Sequence, residues 1–571
     1  MAKRLFALAL SLLMLISVFA GCTPNPANPT DPTKKTDPQP TGNPGTTTVA
    51  PTTTVPEVEF KRDPIDITIV GGYCSSIEQN NFIVQKVKEL FNINLEMKMI
   101  DLSDKTQVQM MLNSGEMPDC GWILGFEPSD MYYDEITRAI PDEMIRAYAP
   151  DYAARLDSEP VGWHYYKAPD VEDAHIGLPG YFPADGADVM LELQMIRLDW
   201  LENLGIEVPG ELVKVNDNLY LTTTPYTQDQ FTEILRRFTE DDPDGNGKDD
   251  TVAYAAQGEI TTNYWFPFSS IFSVQQKIHS TMKDADGKAQ YYYVTENYRE
   301  MLKYAAEMYA KGYIEKEFPT LTSTQVLEQW ANGKYGVTGY RLANVDGTSS
   351  VNPIVSTTAQ NGKLLFMPTP VNNEGVGGTP NYSATNYYYK FVVNKDVDDE
   401  KLARILEMYN YFCHTEEGWI LGAYGIEGEH FEYREYIDGV GYGFTLKEGV
   451  KFGEKTGLKV LNYYSVAVDP KRTFGPNRAF MNDYFREPCE EYILTTYRYD
   501  LAGETNLAEL KATYDATIKT IVQEYWYNAI TGSVDIDATW DDYVDSLYDA
   551  GYDKIQEELD KAPLMSDLVA G

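Results

Sequence analysis

The sequence predicts an α/β protein built on a largely parallel sheet. Two observations carry this. Ile65-Asp66-Ile67-Thr68-Ile69-Val70 alternates apolar and polar residues like a strand and then becomes fully apolar. Strand and helix patterns then take turns as far as Leu124, the order that brings parallel strands together. With 571 residues, 43% of them hydrophobic, the chain is long enough for two to four compact units.

The elements follow in order. After the first strand, Gly71-Gly72-Tyr73 is a turn. Ser76 with Gln79 has capping-box spacing, and Ile83, Val87 and Leu90 form one helical stripe. Leu95, Met97 and Met99 alternate as a second strand; Val108, Met111 and Leu112 mark a helix that stops at Asn113-Ser114-Gly115; Cys120 to Leu124 is a buried-type strand. In such sheets a ligand sits beyond the carboxyl ends of the strands, which points to Gly72, Tyr73 and the run Gly125 to Glu127.

Further on, Met190 to Leu198 is strand-like and Asp199 is placed to cap a helix ending near Gly205. Thr227 with Gln230 is a second capping box, ahead of the stripe Phe231, Ile234, Leu235 and Phe238. Asp284-Ala285-Asp286-Gly287 has hairpin-turn chemistry. Tyr298 to Met308 is an amphipathic helix, and Val326, Leu327 and Trp330 belong to a shorter one ending at Gly333. Leu364 to Met367 and Tyr387 to Val393 read as strands, and Leu402 to Phe412 as a helix. Acidic amphipathic helices fill most of Met481 to Ala562, with Asp537 as a cap before Trp540.

The amino-terminal region is of another kind. Lys3 and Arg4 precede the apolar run Leu5 to Ala20, a signal-like h-region too short for a comfortable membrane span. Phe19-Ala20-Gly21-Cys22 resembles a bacterial lipobox, with Phe19 where Leu is usual. Cleavage before Cys22 and acylation of its thiol would supply the anchor; an ordinary secretory signal is the alternative. Thr23 to Pro56, rich in Pro, Thr, Asn and Asp, has no apolar periodicity and reads as a spacer.

A formal charge of -40 argues against nucleic acid as a partner. Cys74, Cys120, Cys413 and Cys489 fit no zinc spacing and read as packed residues, with room for one bridge. The five histidines stand apart and read as structural. No nucleophile elbow or metal-base motif is present, so nothing in the motifs supports an enzyme. With 87 Asp and Glu residues, a glycosidase-type carboxylate pair remains an alternative on composition alone.

Asp242-Pro243-Asp244-Gly245-Asn246-Gly247-Lys248-Asp249-Asp250 has the ligand order of a calcium loop. Asp242, Asp244, Asn246 and Asp250 fall at positions 1, 3, 5 and 9, Gly247 allows the sharp turn, and the Lys248 carbonyl can point inward. Position 12 is Ala253, so no bidentate Glu closes the site and any calcium would be structural. The alternative is an acidic surface turn.

Several motifs fall in a specific order: Ser114-Gly115-Glu116-Met117-Pro118-Asp119, Arg197 to Trp200 with Leu204-Gly205, the Asp242 loop, Gly333-Lys334, Gly425 to His430, and Thr531-Gly532 followed by Trp540 to Val544. In this the chain resembles the extracellular solute-binding proteins of bacterial ABC importers, and within them the lipoprotein subgroup related to LplA and the alginate-binding proteins. The resemblance spans Asp63 to Ala562. It implies a two-lobed periplasmic-binding-protein type II fold with a hinge and a ligand cleft. Residues 63–188 and 373–430 would build the first lobe, and 189–372 and 431–571 the second. The first crossing between lobes is expected near Pro183 to Gln194, the return near Pro368 to Gly378, and a further one after Tyr424 to Tyr433. The resemblance also implies a monomer that holds an oligosaccharide and passes it to the ABC permease, with bound calcium. A receptor for peptides or another solute on the same fold is the alternative. Trp265 resembles a ring-stacking tryptophan of the alginate binders, and Tyr340 and Arg341 follow a strand where the maltose-binding protein carries an aromatic contact. Tyr73, Glu127, Asn386 and Tyr387 are candidates from their places at strand ends.

Overall fold

The computed structural model describes residues 62–561 apart from 72–73, 75, 103, 182–191, 260–261, 275–280, 284–288, 343–352, 378, 382–386, 438–440, 474–479, 482–483, 486–492 and 496–504. Cys22, Tyr73, Asn386, Cys489 and the spacer therefore lie outside the described residues. Eleven of the described strands build two sheets: β1 (Ile65–Gly71), β2 (Ile93–Met99), β3 (Cys120–Ile123), β4 (Leu178–Tyr181), β5 (Glu192–Arg197), β6 (Val213–Lys214), β7 (Leu219–Leu221), β8 (Val252–Tyr254), β9 (Tyr335–Arg341), β10 (Leu364–Met367) and β11 (Tyr387–Val393).

The first sheet has the order β2-β1-β3-β11-β4 and the second β8-β9-β5-β10-β7-β6. In the first, β1 runs parallel to β2 and β3, while β11 is antiparallel to β3 and β4. In the second, β5 is antiparallel to both its neighbours, β9 and β10, which run parallel to β8 and β7 respectively. One core gathers on the first sheet around Ile67, Val87, Trp122 and Tyr409. The other gathers on the second around Met195, Trp200, Phe238, Trp265 and Trp526.

Helix ends show where local pattern and tertiary packing part. Thr227 and Gln230 form the capping box that their spacing predicts. Ser76 and Gln79 do not: the helix Phe82–Phe91 is capped by Asn81, while the Gln79 amide pairs with the main chain of Met97. Asp199 likewise does not cap Leu198–Leu204; it sits in the first turn and chelates Arg197 (2.6 Å). Asp535 replaces Asp537 as the cap of Ile536–Leu547, leaving Asp537 to bind Arg299 (2.8 Å). The 284–288 turn lies outside the described residues, but the strands flanking it, Thr281–Lys283 and Ala289–Tyr291, pair antiparallel. Cys74, Cys120 and Cys413 are free thiols.

The chain passes between sheets from β4 to β5, and back from β10 to β11. The next passage follows Tyr464, after Tyr424 to Tyr433 as expected but beyond the lobe boundary at residue 430. Leu458, Val460, Leu461 and Tyr464 still pack in the first core, whereas Met481 and Phe485 belong to the second. The difference has a physical cause. Residues 431–446 fold into a hairpin (Phe431–Ile437 with Gly441–Leu446) that buries Phe431 and Phe444 against Trp419 and Tyr424 of the first lobe. No helix among the described residues is long and apolar enough to cross a membrane.

His414 lies against the first core, its ring tilted against those of Tyr152 and Tyr409 with centroids 4.4 and 4.8 Å away. Neither ring nitrogen has a hydrogen-bond partner among the described residues. Burial, helped by the charge of Arg155, holds its pKa well below the ordinary histidine value. A histidine kept neutral when folded binds a proton more readily when unfolded. Its stabilisation is therefore present above the unfolded value of about 6.5 and lost as pH falls below it, by up to about 1.4 kcal/mol per pH unit. Urea titrations of the wild type and His414→Phe at pH 7.5 and 5.5 should show a smaller acid loss in the variant; equal losses would remove His414 from the account.

Candidate ligand-binding cleft

The strand directions fix where a cleft lies. In the first sheet the carboxyl ends of β1, β2, β3 and β4 share one edge with the start of β11. In the second, the carboxyl ends of β7, β8, β9 and β10 share one edge with the start of β5. Both passages between sheets join these same edges. Each sheet thus turns its ligand-favouring edge toward the other lobe.

On the first side, β3 leads through Gly125 (φ +77°) to Glu127, which precedes the helix Pro128–Tyr133. Glu127 is half-exposed and forms an ion pair with Lys390 of β11 (2.6 Å), whose ammonium also donates to the Phe126 carbonyl (3.2 Å). Tyr387 starts β11 opposite Tyr181; its side chain is outside the described residues. On the second side, Tyr340 and Arg341 end β9. Arg341 lies opposite Glu192 in register and binds it at 2.6 Å, the carboxylate being fully buried and the guanidinium one-third exposed. Tyr340 is buried, its ring 5.9 Å from Phe366. Gln194, also buried, donates to the Pro368 carbonyl (3.1 Å), tying the two passages together.

The long helix Thr505–Ile530 of the second lobe reaches the helix Pro128–Tyr133 of the first. There Lys519 lies 3.8 Å from Asp515. Burial raises the pKa of Asp130; the charges of Glu127 and Asp515 add to the rise, and Lys519 and Lys390 oppose it. Asp515 is raised for the same first reason, against Lys511 and Lys519. Charged groups of both lobes therefore meet beside Glu127.

Trp265 is a correction. It is fully buried in the second core, edge-on to Phe318 (5.2 Å) and Trp526 (5.1 Å), with its indole N–H donating to the Gln257 carbonyl (2.8 Å). Its faces are covered by protein, so it does not offer a stacking surface. Glu192, Asp130, Lys390, Asp515 and Lys519 were not singled out from sequence. Only Lys390 left a signal there: one cation in the otherwise apolar or aromatic run Tyr387 to Val393.

The Asp242 loop joins the helix Gln228–Glu240 to the start of β8, the edge of the second sheet opposite the cleft. Its turn uses left-handed backbone at Asp242, Gly245 and Gly247. The Asn246 side-chain amide donates to Asp244 (2.7 Å) and Asp250 (3.1 Å), and the main-chain N–H groups of Asn246 and Gly247 donate to Asp242. Burial raises the Asp244 pKa, and the neighbouring Asp250 and Asp242 raise it further. Among the described residues, no group of three or more His, Cys, Asp or Glu side chains is close enough to hold a metal as it stands.

Comparison with known proteins covers most of the chain. Residues 510–562 match a family model described as a domain of unknown function, DUF3502. The polygalacturonan/rhamnogalacturonan-binding protein YtcQ of Bacillus subtilis (strain 168) is 24% identical over 372 residues, 64% of this chain and 67% of that one. The S. pneumoniae ABC-transporter substrate binding protein FusA, in complex with kestose, aligns over 89% of this chain and 100% of its own with a TM-score of 0.66 and 17% identity. This is the solute-binding-protein fold. The alginate-binding protein AlgQ2, without calcium ion, shares the solute-binding fold at a TM-score of 0.64 and 17% identity over 89% of this chain and 99% of its own. FusA is also known as an EF-hand mutant. In the solute-binding fold the space between two lobes takes the ligand.

Proposed function

We propose that this protein is the extracellular substrate-binding protein of an ABC importer, capturing an oligosaccharide between its lobes and handing it to the permease. It is a binding protein and not an enzyme. The observation that carries this is the pair of sheet edges facing each other across the inter-lobe passages, in a fold whose relatives are named for binding glycans. Carboxylate–cation pairs such as Glu127–Lys390 and Glu192–Arg341 are suited to sugar hydroxyls, because they hold donors and acceptors in fixed positions. Lobe closure would bury the sugar, and the closed form would dock as a monomer on the transmembrane subunits. The lipobox-like Cys22 and the spacer support a receptor tethered to the outer face of the membrane.

The Asp242 loop supports a structural calcium. Asp242, Asp244, Asn246, Asp250 and the Lys248 carbonyl would hold it. Two carboxylates drawn to the Asn246 side-chain amide, with Asp242 held by the adjacent main-chain N–H groups, suit a divalent cation, whose charge would offset their repulsion. A chelator is expected to lower the melting temperature of the wild type but not of Asp244→Asn.

Thermal melting of residues 63–571 against neutral oligosaccharides, uronic-acid oligosaccharides and peptides, at fixed calcium, tests the main reading. A saturable rise with one sugar class is expected, since a ligand of the folded state raises its melting temperature. A rise with peptides alone would overturn it.

A further inference from the structure

One segment of the first lobe, Val460 to Val466, crosses the edge of the sheet that faces the cleft. At the end of β1, a Cβ on Gly71 would meet Val460 at 2.7 Å. Over β3, the Trp122 indole donates to the Leu461 carbonyl (2.9 Å). At the end of β4, a Cβ on Gly180 would meet the Tyr464 carbonyl at 2.1 Å, and Val466 donates its N–H to the Tyr181 carbonyl (2.8 Å). The segment is held along its length. Val460, Leu461 and Tyr464 are buried in the first core. Asn462 is buried and donates to the Phe412 and Trp419 carbonyls, and Ser465 is buried and donates to the Cys413 carbonyl. Between Val460 and Ser465 only Tyr463 is exposed, at 42%, its ring 4.7 Å from the Tyr464 ring at an edge-on 71°.

A partly exposed aromatic on a backbone this constrained has already lost much of the conformational freedom that binding would otherwise remove. Its face is apolar and its hydroxyl polar, which matches a sugar ring with C–H groups on one face and hydroxyls around the rim. We infer that Tyr463 is the first-lobe residue on which a pyranose or furanose ring stacks. This rests on the oligosaccharide reading above and names a contact that the motifs did not single out. Tyr463 presents the apolar face, while Glu127 with Lys390 on the same lobe and Arg341, held by Glu192, on the other supply the polar contacts.

The test is calorimetric titration of the wild type, Tyr463→Ala, Tyr463→Phe and Tyr436→Ala, each with kestose and with trigalacturonate. Tyr436 is exposed on the hairpin and serves as the control. For the saccharide that binds the wild type, Tyr463→Ala should weaken affinity about tenfold or more, while Tyr463→Phe, which keeps the ring, and Tyr436→Ala stay close to wild type. Sugar-free melting should be alike in all four, which separates lost contact from lost fold. Equal affinity of Tyr463→Ala and the wild type overturns this inference alone. Failure of the wild type to bind any sugar in the wider melting panel overturns the oligosaccharide reading and this inference with it.

Discussion

Trp265→Ala is expected to destabilise the protein by about 3–5 kcal/mol, the range for deleting a large buried aromatic. The indole touches Phe268, Phe318 and Trp526, and its N–H is satisfied by the Gln257 carbonyl. Its removal opens a cavity between the segment around β8 and the long carboxy-terminal helix. Trp265→Phe should recover part of the loss but leave the carbonyl without its donor. Urea unfolding checks the magnitude. Sugar affinity measured well below the melting temperature should change little. A variant of wild-type stability that binds sugar poorly would return Trp265 to the cleft.

Arg404→Met is expected to cost about 2–4 kcal/mol, because it takes the donor from two main-chain carbonyls and a positive charge from beside Glu407. Arg404 is 2% exposed on the helix Asp399–His414. It donates to the carbonyls of Asp63 (3.2 Å) and Phe91 and lies 3.7 Å from Glu407, so it ties this helix to the starts of β1 and β2. Burial lowers its pKa and raises that of Glu407, while Arg62 at 2.7 Å opposes the rise. The double variant Arg404→Met with Glu407→Leu should lose clearly less than Arg404→Met, since both buried charges are then gone. Additive losses in such a cycle would show that the two groups do not interact.

Sequence and structure agree where the deciding contacts are local. The alternation of Ile65 to Val70, the Thr227 and Gln230 box and the apolar run Leu364 to Met367 each encode their element within a few residues. They part where a distant segment competes. Ser76 and Gln79 have capping-box spacing, but the Met97 main chain takes the Gln79 amide and Asn81 takes the cap. Asn263-Tyr264-Trp265-Phe266 offers aromatics in a polar setting, and nothing nearby reveals that Trp526 will cover one of them. The same limit hid Tyr463: an Asn-Tyr-Tyr run looks ordinary until Trp122 and Tyr181 are seen to hold its backbone. Strand-end reasoning reaches Glu127 from topology alone, and Arg341 is reached by resemblance; their partners Lys390 and Glu192 come from strands paired across long stretches of chain.

The order in which the cores are filled also sets an order of folding. The second core needs Trp526, Tyr543 and Tyr552 from the last part of the chain; the Tyr552 hydroxyl, for one, accepts from the Tyr291 N–H across 261 residues. Contacts of such separation form slowly, because a long loop must close before they stabilise anything. A growing chain therefore carries β5 to β10 with its apolar floor uncovered until residues 505–559 are made, and a chain cut before them is left with an aggregation-prone half-lobe. The helices spanned by the DUF3502 match act as the closing piece of the second lobe, and the chain cannot complete its fold until nearly all of it is present.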